Sequence, residues 1–203
     1  FFQSTYAITC NSGSSANLLA LASLDLKRGS KVLTSACGFP ATLAPILHLG
    51  FEPILVDYNL STHNIDLDTL RKELPNASAV ILAHTLGNPV EMDELIRETN
   101  AQGIPVIEDC CEGIGSTLHG QSVGTFGTLG TFSFYPSHQI TAEGTGGMVI
   151  TSDESLNYKI RSLRDWGKVW DWNTALGESR TSYESTIDDI QYYKNYTYET
   201  IGW

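Results

Sequence analysis

The sequence predicts an α/β protein with a mostly parallel, mixed sheet flanked by helices. Three observations predict it. Short apolar runs alternate with segments of helical period from residue 7 to residue 166. The runs are short and continuous rather than alternating, as in strands buried on both faces. The composition is that of a globular chain: of 203 residues, 41% are hydrophobic and 17% charged, with 18 Gly and 7 Pro.

The elements follow in order. A short strand over 7–9 leads into the small-residue turn 11–17 and then into 16–24, ANLLALASL, made of strong helix formers. A strand at 31–34 precedes a helix at 40–49 with apolar residues at helical spacing. After the strand at 53–56, Asp66 is placed to cap a helix over 67–74. A strand at 79–83 is followed by a helix over 91–101, with Leu95 and Ile96 on one side and charges on the other. Strands at 105–107, 130–134 and 148–151 come next, then a helix at 153–166 carrying Leu156, Ile160 and Leu163 at i, i+4 and i+7. From Trp170 to Trp203 the pattern breaks down into Tyr, Trp, Asn, Ser and Thr, which reads as a long loop or a structure completed by another element. There is no internal repeat.

Charge narrows the function. With 12 basic and 23 acidic residues the net charge is −11, so a nucleic acid is repelled on average, although a local pocket for a small phosphate is not. No run approaches the length of a membrane span. The first residues show neither a charged region nor a cleavage-like pattern, so no signal peptide is expected. Of four cysteines, Cys110 and Cys111 are adjacent, and Cys10 and Cys37 lie in apolar strand-like contexts. Free thiols in a reducing, cytoplasmic compartment are expected.

Ligands of open α/β folds bind at the carboxyl ends of strands. Four features lie there. The turn NSGSSAN (11–17) opens a helix with small residues and hydroxyls, which suits a phosphate or serves as an ordinary cap. The run VIEDCCE (106–112) ends an apolar strand in carboxylates; Asp109 can pair with a cationic ring nitrogen, and taken alone reads better as a helix N-cap. The run GTFSFYPSH (130–138) ends a strand in hydroxyls and a histidine, with Gly144, Gly146 and Gly147 following. Phe39, after the second strand, can stack on a flat ligand, and taken alone reads better as core. His48, His63, His84 and His119 show no metal-ligand spacing, and no metal site is expected.

The order of these features resembles the pyridoxal-phosphate enzymes of fold type I, and more narrowly the DegT-type sugar aminotransferase family. The matching stretches are NSGSSAN (11–17), GFPAT (38–42), AHTLGNP (83–89), IEDCCEGIGS (107–116), VGTFGTLGTFSFYPSH (123–138), GGMVIT (146–151), RDWGK (164–168) and YTYETIG (196–202). The resemblance implies that Ser14 and Ser15 hold the cofactor phosphate and that Phe39 stacks on the pyridine ring. It assigns Asp109 to the pyridinium nitrogen, Glu112 to the neighbourhood of the ring hydroxyl, and Ser133 to a phosphate or cofactor contact. His138 falls where the aminotransferases carry their cofactor-binding lysine.

An imidazole cannot form the covalent link that a lysine amine forms. The branch of the family with this Lys-to-His change comprises the 3-dehydrases of nucleotide-linked 4-keto-6-deoxyhexoses. The stretches SFYPSH, AHTLGNP and EDCC are most similar to its CDP-4-keto-6-deoxyglucose 3-dehydrase group. Implied are pyridoxamine 5'-phosphate held non-covalently, His138 as a base, and loss of the C3 hydroxyl in 3,6-dideoxysugar and O-antigen biosynthesis. The alternatives are a pyridoxal-phosphate-dependent aminotransferase of nucleotide keto-sugars, against which His138 argues, and a non-catalytic cofactor-binding remnant. A homodimer and a reductase partner are implied by resemblance alone. The CDP-linked group carries a [2Fe-2S] cluster; here Cys111 is matched but no cysteine follows Gly167, so no cluster is expected in this chain. Family members are roughly twice as long. Residues 1–203 therefore correspond to most of the large cofactor-binding domain, without the N-terminal helix and the small C-terminal domain.

Overall fold

The computed structural model describes residues 3–168, 184–187, 190–193 and 202. Strand β1 is Tyr6–Cys10, followed by helix α1, Gly13–Ala22. Then come β2 (Lys31–Ser35), α2 (Pro40–His48), β3 (Glu52–Val56), α3 (Leu67–Glu73), β4 (Ala79–Ala83) and α4 (Met92–Gln102). Strand β5 is Val106–Asp109; a small hairpin joins β6 (Thr117–Leu118) to β7 (Gln121–Ser122); β8 is Leu129–Ser133 and β9 Gly147–Thr151, before α5, Glu154–Arg164. Strands β10 (Glu184–Ile187) and β11 (Ile190–Tyr193) pair antiparallel. The rest of the segment 170–203, expected as a long loop or an incomplete structure, lies outside the described residues, apart from Gly202.

The main sheet has seven strands in the order β1-β9-β8-β5-β4-β2-β3. Pairs β2–β3, β2–β4, β4–β5 and β5–β8 are parallel, whereas β9 runs against both β8 and β1. Six strands thus share one direction. Their carboxyl ends bring Cys10, Ser35, Ala83, Asp109 and Ser133 to a single edge of the sheet.

Two cores explain the continuous apolar runs. One face packs Ala16, Leu19 and Ala20 of α1, Ile46 of α2 and Ile160 of α5 on Val32, Ile81 and Ile107. The other packs Leu70 of α3 and Leu95 of α4 on Leu33, Leu82 and Val106. Neighbours along a strand point into opposite cores, so most positions are apolar and the polar ones need partners.

Local chemistry sets most boundaries. Helix α1 starts at Gly13, three residues before the expected 16, because the Ser12 hydroxyl accepts from the Ser15 amide at 3.1 Å. Asp66 caps α3 as expected, and Asp153 caps α5 through Leu156 N at 2.9 Å. Strand β5 runs two residues beyond the expected 107 because Glu108 and Asp109 keep the ladder with Leu82 and Ala83. The β6–β7 hairpin was not expected; its strands are too short to leave a period.

Candidate active site at the carboxyl edge of the sheet

Asp109 ends β5 on the α1 side and is 6% exposed. Its Oδ2 accepts from Asn17 Nδ2 at 2.8 Å and from Thr42 Oγ1 at 2.7 Å, and its Oδ1 from the Cys111 amide at 3.2 Å. The amide of Asn17 is oriented in turn: its Oδ1 accepts from Thr131 Oγ1 at 2.6 Å, and its Nδ2 also donates to Ala41 O at 3.2 Å. Among the described residues, no lysine, arginine or histidine pairs with Asp109. The helix N-cap that Asp109 suggests on its own is not what forms. Turns follow Cys110, and the carboxylate reaches across the sheet to α1 and α2 instead.

Beside it, the first turn of α1 meets the end of β8. A Cβ built on Gly13 would lie 2.6 Å from Ser133 Cβ and 3.0 Å from Cys111 Sγ, so only glycine lets the two approach. Ser14 is exposed on this first turn, and Ser15 is half-buried with its hydroxyl accepting from Ser12 Oγ at 3.1 Å. Ser133 is buried, its Oγ accepting from the Tyr135 amide at 3.3 Å. Among the glycines that follow β8, Gly147 is approached closely by the chain itself: a Cβ there would strike the Ser12 carbonyl.

Phe39 is 76% exposed, which overturns its reading as core. Pro40 opens α2, so Phe39 stands at the cap, outside the packed face. It lies at the rim of a cavity of about 150 Å³ that Thr42, Leu43, Ala83 and Thr85 also line. Thr42 therefore borders the cavity while holding Asp109.

His138 lies in the turn after β8, its amide donating to Tyr135 O at 2.9 Å. Its ring is 13% exposed, and Nδ1 stands 3.5 Å from Glu112 Oε1. That contact is electrostatic: Nδ1 is buried and makes no hydrogen bond among the described residues. Glu112 is half-exposed, and its backbone carbonyl accepts from Gln139 Nε2 at 2.9 Å, which ties the two loops together. The structure thus groups Glu112 with His138, Ser133 with the start of α1, and Asp109 with Asn17 and Thr42.

Glu108, the neighbour of Asp109, points to the other face and is fully buried. Its carboxylate accepts from Gly124 N (2.8 Å), Phe126 N (2.8 Å), Gly127 N (2.6 Å) and His84 Nε2 (2.9 Å). The Val90 amide donates to His84 Nδ1 at 3.0 Å, which leaves Nε2 as the protonated nitrogen. Cys110 Sγ lies close to both. The acceptor atoms that a metal would need are already taken, so the cluster is structural. Sequence reasoning assigned no role to Asn17, Thr42, Thr131 or Glu108. Asn17 left one usable signal, a polar residue among the apolar positions of ANLLALASL.

Residues 1–192 match the profile of the DegT/DnrJ/EryC1/StrS aminotransferase family. The chain belongs to that family. Within it, the lipopolysaccharide biosynthesis protein RfbH of Salmonella typhimurium is 44% identical over 172 residues, covering 80% of this chain and 39% of that protein. The dTDP-4-dehydro-2,6-dideoxy-D-glucose 3-dehydratase of Saccharopolyspora spinosa is 39% identical over 215 residues, covering 100% of this chain and 46% of that enzyme. The structure of E. coli GDP-4-keto-6-deoxy-D-mannose-3-dehydratase with bound hydrated PLP superposes with a TM-score of 0.85 at 31% identity, covering 100% of this chain and 52% of that one. The chain therefore spans less than half the length of these two curated relatives. Among the described residues, no helix is long and apolar enough to cross a membrane.

Proposed function

We propose that this family member removes the C3 hydroxyl of a nucleotide-linked 4-keto-6-deoxyhexose as water, with pyridoxamine 5'-phosphate as its cofactor. The observation that carries this is His138: a largely buried imidazole, its Nδ1 without a hydrogen bond among the described residues, where the aminotransferases carry a lysine. The residues present fit the cofactor. Asp109 is a buried carboxylate with no cationic partner among the described residues, and the Gly13–Ser133 approach builds a small hydroxyl-lined cradle at a helix N-terminus. When bound, the cofactor supplies an amine that condenses with the substrate ketone and a ring that accepts electrons.

The chain's own residues do the rest. Ser14, Ser15 and Ser133 hold the phosphate, together with the free amides of the first turn of α1. Phe39 covers one face of the ring, and Asp109 keeps the ring nitrogen protonated. His138 takes the proton that dehydration moves and returns it to the leaving hydroxyl. Glu112, whose Oε1 stands 3.5 Å from His138 Nδ1, lies beside the imidazole and near the ring hydroxyl. The active protein is a soluble cytoplasmic homodimer, and a separate reductase completes deoxygenation. The chain forms most of its large cofactor-binding domain.

Incubating the full-length protein with pyridoxamine phosphate and a CDP- or GDP-linked 4-keto-6-deoxyhexose tests this. Mass spectrometry is expected to show a sugar that has lost one water. A 4-amino sugar as sole product would establish the aminotransferase reading instead, and binding without turnover the non-catalytic one. His138→Lys is expected to abolish dehydration and to give a new absorbance from covalently bound pyridoxal phosphate. Unchanged dehydration in that variant contradicts the proposal.

A further inference from the structure

Asp109 poses a problem that its expected partner does not solve. A carboxylate buried between two helices has several rotamers open to it, and any of them can leave a ring nitrogen unpaired. Three donors leave it one. Asn17 and Thr42 both give a hydrogen to Oδ2, and the Cys111 amide gives one to Oδ1. All three act as donors to the carboxylate in that geometry. Thr42 Oγ1 spends its only hydrogen on Asp109, and the Asn17 amide is turned donor-first because Thr131 holds its oxygen. Asn17, Thr42 and Thr131 are 1%, 7% and 0% exposed, so water does not substitute for them.

The three side chains come from α1, α2 and β8. They join the elements that carry the serine cradle, the cavity rim and the histidine turn.

We propose that Thr131, Asn17 and Thr42 form a positioning relay that holds Asp109 as an acceptor-only anion aimed at a cationic heteroaromatic ring. The relay rests on the cofactor reading above and deepens it. Its neutral donors fix the carboxylate without cancelling its charge, as an arginine or lysine would. The anion therefore stays available to pair with a ring N–H⁺, and a neutral or anionic ring gains nothing there. Thr42 touches both the cavity and Asp109, so it is the member through which a bound ring and the carboxylate stay in register.

The test is a double-mutant cycle on pyridoxamine phosphate binding by the full-length protein, read by calorimetry and by the absorbance of the bound ring against pH. Thr42→Val keeps shape and removes the donor. It is expected to weaken binding about 10-fold, the order of one hydrogen bond to a charged group, and to move the pH at which the bound ring loses its proton. Thr42→Ser restores both. In an Asp109→Asn background, Thr42→Val is expected to add nothing. An additive loss, or no loss, overturns the relay while the cofactor reading stands. Unchanged affinity and spectrum in Asp109→Asn alone overturns the cofactor reading and the relay together. Should Thr42→Val fail to fold, Thr131→Val tests the same chain one bond further back, with the same dependence on Asp109 expected.

Discussion

Cys110 and Cys111 share a carboxylate-rich corner at the end of β5, and each thiol is held well above its ordinary range. Burial is the main cause for both; Glu108 and then Asp109 add to it at Cys110, and Asp109 at Cys111. Burial also raises Cys10, whose thiol donates to Ser12 O at 3.3 Å. Cys37, in contrast, is exposed just beyond β2. Thiolate is the reactive form, so burial protects Cys110 and Cys111 both by blocking access and by holding the proton on. Iodoacetamide at pH 8 is expected to label Cys37 first and to leave Cys110 and Cys111 unmodified until the protein unfolds. Peptide mass spectrometry reads the order, and early labelling of Cys111 contradicts the burial argument. At this scale the sequence exposed the residues with a chemical signature: Asp109 at a strand end, Ser133, His138. Only the reading of Phe39 taken alone, as core, went astray, because an aromatic beside a proline has no period to reveal which way it faces. It passed over Thr42 because a threonine in a helix is ordinary until its partner is seen 67 residues away.

Helix α3 shows how much an element owes to its first residue. Asp66 Oδ1 accepts from the Thr69 amide at 2.8 Å, and that backbone hydrogen bond is the main reason its carboxyl titrates below the ordinary value. A carboxyl with a depressed folded value contributes stability above its unfolded value, and the contribution is lost as pH falls through the folded one. Asp66→Ala is expected to cost about 1 kcal/mol in urea unfolding at pH 7. The difference from the parent protein should shrink below about pH 4 and vanish at lower pH; a gap that persists at pH 2 would show the loss is not electrostatic. Arg71 then ties α3 to Glu94 and Glu98 of α4, at 2.9 and 3.0 Å. The half-exposed guanidinium is one side of an exposed network of modest value. Helices and strands were legible in the sequence to within three residues at most ends. The errors fall where a cap or a ladder partner, not periodicity, sets the end: Ser12 for α1, and the β4 ladder for β5.

For the whole molecule the decisive group is Glu108. It is a fully buried carboxylate whose four N–H donors come from β4's end and from the 124–127 loop, so it pins that loop beneath the sheet edge on which Asp109 and Ser133 lie. Glu108→Gln keeps the volume but turns an amide NH₂ towards backbone N–H groups that need acceptors. The expected cost is about 3 kcal/mol, seen as a lower urea midpoint with an unchanged slope. A midpoint within error of the parent's would show that the loop does not depend on this carboxylate.

Period and composition alone determined the layered α/β architecture, because a strand buried on both faces must be apolar throughout and a helix on its flank apolar along one stripe. The order of short motifs was enough to place the chain in its family. Only the tertiary structure decided which polar groups meet. Apart from the Cys111 amide, the partners of Asp109 and Glu108 lie 16 to 92 residues distant along the chain. Hydrogen bonds of that reach leave no period in a sequence; they exist only once the strands have brought their carboxyl ends to one edge.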